Sequence, residues 1–142
     1  MGRMTLPFVP LQNRRKRDLF GSLCRARTLL CDLEGEPLSV AEIARAVALS
    51  PYQFIRAFKA CFGETPHQVR IAARLAKAQQ LLAGSEFSVT EICAAVGFSS
   101  LGTFSFEFAR RIGTPPSAYR RRSRAGLAPE PTPGCISLMG GG

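Results

Sequence analysis

The sequence predicts an all-α fold of about seven helices, in which two helix-turn-helix subdomains are joined by a long linker helix. Three observations predict it. The middle of the chain contains itself twice: "LSVAEIARAVALS" at 38–50 matches "FSVTEICAAVGFS" at 87–99, and "FIRAFKACFGETP" at 54–66 faces "TFSFEFARRIGTPP" at 103–116. The apolar residues of both copies recur at helical spacing. Each copy also carries the same start and stop signals. A repeat of this kind decides the architecture before any single element does.

Residues 1–16 contain prolines and lead into the basic run Arg14–Arg17. They are expected to form a disordered basic arm, the basic run serving as a solvated helix entry. Leu19, Leu23, Ala26, Leu30 and Leu33 then make one helical stripe, ended by Gly35 and Pro37. The first helix-turn-helix spans about 39–61. Ser39 and Glu42 form an S-x-x-E capping box ahead of Val40, Ile43, Ala44 and Val47. Ala48 occupies the turn, where it should be slightly strained. Ser50 caps the next helix, with Pro51 at its first position and Phe54, Phe58 and Phe62 as its apolar side.

The linker helix runs over about 66–83, with Thr65 as cap and Val69, Ala72, Ala73, Leu75, Ala76 and Leu82 as its apolar face. About 18 helical residues reach roughly 27 Å. The second helix-turn-helix, about 88–111, repeats the grammar. Ser88 and Glu91 form the box, Val89, Ile92, Cys93 and Val96 the buried face, and Gly97 the turn. Ser99 or Ser100 is the next cap, followed by Phe104, Phe108 and Ile112. The string "FSFEF" at 104–108 alternates like a strand. The repeat overrides that local signal, because Phe104 and Phe108 pair with Phe54 and Phe58. Residues 123–142, rich in Gly and Pro, are expected to be a disordered tail.

The bulk chemistry narrows the partners. Of 142 residues, 19 are Lys or Arg and 10 are Asp or Glu, giving +9 and a pI near 10.2. Residues 17–122 hold 14 Lys and Arg against 9 Asp and Glu, so the charge is not confined to the tails. Nucleic acid is the leading partner that such a balance suggests. A spanning helix needs about 18 consecutive apolar residues, and no such run exists. Nor is there a secretory signal at the start, so the chain is expected in the cytoplasm, with no membrane partner. Cys24, Cys31, Cys61, Cys93 and Cys135 form no CxxC pair, and His67 is the sole histidine. No metal or other cofactor is expected, and the first four cysteines read as small buried hydrophobes. An enzyme is not expected either, since nucleophile motif, carboxylate pair and phosphate-cradling loop are all missing.

The strings "LSVAEIARAVALSPYQFIRAFK", "FGETPHQVRIAARLAKAQQLL" and, most specifically, "SVTEICAAVGFSSLGTFSFEF…GTPPSAYR" resemble the DNA-binding domain of AraC/XylS-type bacterial transcription regulators. The resemblance covers about Arg17 to Arg122. It implies two helix-turn-helix units entering adjacent major grooves of double-stranded DNA. It also implies transcription regulation, more often activation, through contact with RNA polymerase, and association with the nucleoid when bound. With about sixteen residues ahead of the first helix, the chain is expected to be a stand-alone DNA-binding domain with no small-molecule effector domain.

Helix faces and the family pattern together give the expected contacts. Base reading falls to Pro51, Tyr52, Gln53, Ile55 and Arg56 in the first motif, and to Leu101, Gly102, Thr103, Ser105 and Phe106 in the second. An arginine can grip guanine O6 and N7 with two hydrogen bonds. Phosphate contacts are expected from Ser50, Lys59, Ser99, Ser100, Arg110 and Arg111. Phe106 stands where the first copy has Arg56 and where family members commonly have arginine, so the first motif is expected to supply most base specificity. Arg45, Arg70, Arg74 and Lys77 are expected on solvated faces, and Arg120–Arg122 to divide between phosphate contact and solubility. The competing expectation is a protein-interaction module, with an exposed patch at Phe106, Leu101 and Phe20.

Overall fold

A computed structural model of the chain describes residues 11–126 as seven helices: α1 (Leu11–Cys31), α2 (Val40–Ala46), α3 (Pro51–Phe62), α4 (Pro66–Gly84), α5 (Val89–Ala95), α6 (Leu101–Ile112) and α7 (Pro116–Arg124). No strand occurs among the described residues. None of the described helices is long and apolar enough to cross a membrane.

Side-chain caps place the helix starts. Ser39 Oγ accepts from the Glu42 N–H at 3.1 Å, and Glu42 Oε2 accepts from the Ser39 N–H at 2.7 Å. Ser88 and Glu91 repeat the exchange at 3.0 and 2.8 Å. The donated serine N–H holds each glutamate below the usual carboxylate range. The same reciprocal box forms where the third residue is glutamine, at Ser50–Gln53 and Thr65–Gln68.

The two helix-turn-helix turns differ at one position. Ala48 sits at φ +62° and Gly97 at φ +98°. A side chain in the left-handed region costs about 1–2 kcal/mol, which glycine avoids. Ala48→Gly is therefore expected to stabilise the fold by roughly 1 kcal/mol. Gly97→Ala should destabilise it by more, since a Cβ there would stand 3.1 Å from Arg74 Nε. Urea unfolding of the two variants checks the opposite signs.

Two cores meet on α4. One joins Leu23, Ala26 and Leu30 of α1 to Ile43, Ala44, Phe54, Phe58 and Val69. The other joins Ile71, Leu75, Ala78 and Leu82 of α4 to Ile92, Cys93, Phe104, Phe108 and Tyr119. Because both subdomains pack on it, α4 buries ten of its 19 residues, more than one amphipathic stripe would. Its length is about 28 Å.

Several expectations are corrected here. The first helix starts at Leu11, inside the stretch expected to be a disordered arm, because Leu11 to Arg17 contains no helix breaker and follows Pro10. At the other end α7 runs on to Arg124; the remaining parts of the expected arm and tail, 1–10 and 127–142, lie outside the described residues. Arg70 and Arg74 are not solvated. Arg70 is 8% exposed, and Arg74 is half-buried with its guanidinium carbon 5.7 Å from the Phe98 ring centroid. Burial pushes both below the usual arginine value. The reason is the clasp on α4, which leaves it little free face.

Arg120, half-buried, is tied to the fold: its Nε donates to Leu82 O at 3.1 Å and its Nη2 to Ser85 O at 3.2 Å. It thereby satisfies carbonyls at the C-terminal end of α4. Among the cysteines, Cys93 is buried as expected, Cys24 is half-buried, and Cys61 is exposed, one residue off the Phe54–Phe58–Phe62 stripe. Cys31 is half-buried at the end of α1 and disulfide-bonded.

Candidate nucleic-acid interface

Helices α3 and α6 are built alike, which fixes what each presents outward. Each has 12 residues, a serine N-cap and a left-handed glycine at its C-cap, Gly63 at φ +79° and Gly113 at φ +97°. Phe54 and Phe58 in α3, and Phe104 and Phe108 in α6, are fully buried. The opposite face of each helix is thereby turned to solvent.

On α3 that face carries Pro51, Tyr52, Gln53, Ile55, Arg56 and Lys59, all exposed. Arg56 Nη1 donates to Tyr52 Oη at 3.2 Å, one turn back, and its guanidinium carbon lies 5.5 Å from the centre of the Tyr52 ring. The pairing restricts both side chains and holds the planar fork at the surface. Gln53 also serves the helix start, where its Oε1 accepts from the Ser50 N–H at 3.1 Å. The cap uses only the side-chain carbonyl, and the residue is exposed, so its amide NH2 remains available as a donor. The signal for this was present in the S-x-x-Q spacing at 50–53, which matches the S-x-x-E of the preceding helix.

On α6 the corresponding residues Leu101, Gly102, Thr103 and Phe106 are exposed and Ser105 is half-buried. Ser100 is the cap; its Oγ accepts from the Thr103 N–H at 3.2 Å. Threonine at this third position forms only half of the box, so the serine N–H receives no side-chain return. Ser99 is exposed beside it. Free N–H groups at a helix start favour an anion.

The arginines at the end of α6 are already engaged. Glu107 Oε2 lies 2.7 Å from Arg110 Nη2 and 3.5 Å from Arg111 Nε. The Arg110 hydrogen bond, helped by both positive charges, holds the Glu107 carboxyl below its usual value. A depressed carboxylate keeps its stabilising effect above the unfolded pKa and loses it only as pH falls through the lower folded value. At neutral pH the pairs are intact. Glu107→Gln should therefore release the two cations, raise duplex affinity at low salt, and steepen the slope of log K against log[salt] by about one to two. Anisotropy titrations at several salt concentrations measure it. No acidic residue occurs in α3, so Arg56 and Lys59 face no such competitor on their own helix.

Known proteins resemble this chain over its helical part. Residues 43–122 match the helix-turn-helix domain family. The HTH-type transcriptional regulator ArgR of Pseudomonas aeruginosa is 34% identical over 124 residues, covering 87% of this chain and 37% of that protein. The probable transcriptional regulator LumQ of Photobacterium leiognathi is 37% identical over 83 residues, covering 58% of this chain and 34% of that protein. The chain thus spans about a third of the length of these curated relatives, which are regulators rather than enzymes.

Among solved structures, the DNA-binding domain of AdpA in complex with a target DNA superposes with a TM-score of 0.63 at 32% identity, over 77% of this chain and 95% of that one. An AraC-type regulator from Chromobacterium violaceum gives 0.61 at 29%, over 78% and 96%. With its repeat, its caps and its two buried phenylalanine pairs in the same fold, the chain belongs to the family of AraC-type helix-turn-helix DNA-binding domains.

Proposed function

We propose that this chain binds double-stranded DNA sequence-specifically through the major groove and regulates transcription at the nucleoid. The observation that carries the reading is the Arg56–Tyr52 pair, held on the exposed face of α3 directly opposite two fully buried phenylalanines. A planar fork so placed suits the paired acceptors of guanine. In this reading α3 supplies most of the base specificity. The start of α6, with Ser99, Ser100 and its free N–H groups, anchors on phosphate, and Ser50 and Lys59 do the same for α3. Activation through contact with RNA polymerase is the mode of regulation proposed.

The test is selection of bound duplexes from random sequence, followed by affinity measurements on selected and unrelated sites across salt concentrations. A clear ratio between the two supports base reading. A salt-dependent affinity that ignores sequence would sink it, because phosphate contacts alone produce that result. A promoter bearing the selected site, transcribed with and without the chain, then tests activation.

A second reading, a protein-docking module, is favoured by the exposure of Phe20, Leu101 and Phe106 at 53%, 45% and 64%. The exposure is divided, however. Phe20 rests against Phe62 of α3, with ring centroids 6.4 Å apart, whereas Leu101 and Phe106 belong to α6 in the other subdomain. DNA binding accounts for both helix faces at once.

A further inference from the structure

We infer that α6 reads thymine methyl groups through Phe106, so that the two motifs recognise chemically different half-sites: a hydrogen-bonded one under α3 and an apolar one under α6. This rests on the base-reading function proposed above and names what the second motif would read.

The equivalence of the two helices allows a comparison position by position. At one-turn spacing the outward face of α3 carries Tyr52, Arg56 and Lys59; the same positions of α6 carry Gly102, Phe106 and Ala109. Every polar or charged group on that line of α3 is replaced by an apolar or absent side chain on α6. Phe106 is 64% exposed, and no ring pair among the described residues includes it, so it does not serve the core. Gly102 has no packing reason to be glycine. A Cβ added there would meet only Ser100 Oγ, at 3.6 Å, and its φ is not in the left-handed region. Its effect is to leave the helix surface low one turn before Phe106, so that the ring stands clear on the middle of the helix and the backbone at the helix start can approach a groove closely.

The polar groups that remain nearby cannot replace the lost fork. Glu107, which could accept from cytosine N4, is turned to Arg110 and Arg111. Thr103 and Ser105 carry single hydroxyls, which bond to several bases without choosing among them. The one feature of the major-groove edge that an aromatic ring selects is the C5-methyl of thymine. Leu101, exposed at the helix start, extends the same apolar surface.

The experiment replaces thymine by deoxyuridine, one position at a time, in a duplex selected by the full chain. The change removes a methyl group and leaves base pairing intact. In the segment away from the Arg56-dependent base pair, each contacted thymine should lose about fourfold in affinity, the worth of one buried methyl-sized group. Phe106→Ala should bind more weakly and lose the difference between thymine and deoxyuridine there. Phe106→Arg should shift preference at that position towards guanine. Phe106 is largely exposed, so these variants should fold, and equal melting temperatures would show it. If deoxyuridine is tolerated throughout that segment while Arg56→Ala still relaxes sequence preference, thymine reading is overturned and base reading by α3 stands. If the chain selects no sequence at all, base reading and this inference fail together.

Discussion

Phe108→Ala is expected to lower the free energy of unfolding by about 3–5 kcal/mol, the range for truncating a fully buried phenylalanine. Phe108 is 0% exposed and packs on Phe104 and Tyr119, with ring centroids 5.8 and 5.6 Å away. The loss combines the transfer of the ring from water with the contacts its neighbours forfeit around the space left behind. Domains of this size are stable by only about 5–15 kcal/mol, so the variant should be close to its unfolding threshold. The loss should also be uneven. Phe108 belongs to the core of α4 to α7, whereas α1 to α3 close a core of their own against α4. Hydrogen exchange should show amides of α5 to α7 losing protection before those of α1 to α3. A uniform loss across all seven helices would mean that the two cores unfold as one unit.

Arg56→Ala should cost about 1–3 kcal/mol in binding to the selected duplex, about fivefold to 150-fold, and should relax preference at one base pair. The pattern of the loss is as telling as its size. Losing a base contact weakens binding to the selected site far more than to the variant altered at the contacted base pair; losing a phosphate contact weakens all sequences alike. Arg56→Lys keeps the charge and discards the fork, so it should restore the salt dependence without restoring the preference. Competition binding against single-base variants of the site separates these outcomes. If Phe106→Ala weakened binding more than Arg56→Ala, the proposed division between the motifs would be reversed.

Much of the fold could be read from the sequence because its signals are local. Ser39 and Glu42, or Ser88 and Glu91, are three residues apart and form their box within a single turn. Phe54 with Phe58 and Phe104 with Phe108 share a face at any helical spacing of four. Ala48 in the left-handed region followed from its alignment with Gly97. What escaped prediction depends on residues far apart in the chain. Arg120 finds its carbonyl partners 35 and 38 residues away. The burial of Arg70 and Arg74 exists only once both subdomains have closed on α4, and no periodicity reports it. Around the proposed contacts the hidden element was local but polar: Glu107 is engaged by Arg110 and Arg111 on its own helix, which a map of helix faces does not show.

Helix α4 also has a bearing on the DNA rather than on the protein. Both cores are fastened to one uninterrupted rod of about 28 Å, somewhat shorter than the 34–36 Å helical repeat of the duplex. A domain built this way is a ruler with two teeth. In the proposed mode, with both motifs engaged, the base pairs between the half-sites would act through the number they add to the helical repeat. One extra pair turns the far half-site by about a tenth of a turn. Since both cores include residues of α4, following it would mean bending that helix or parting it from one of its cores.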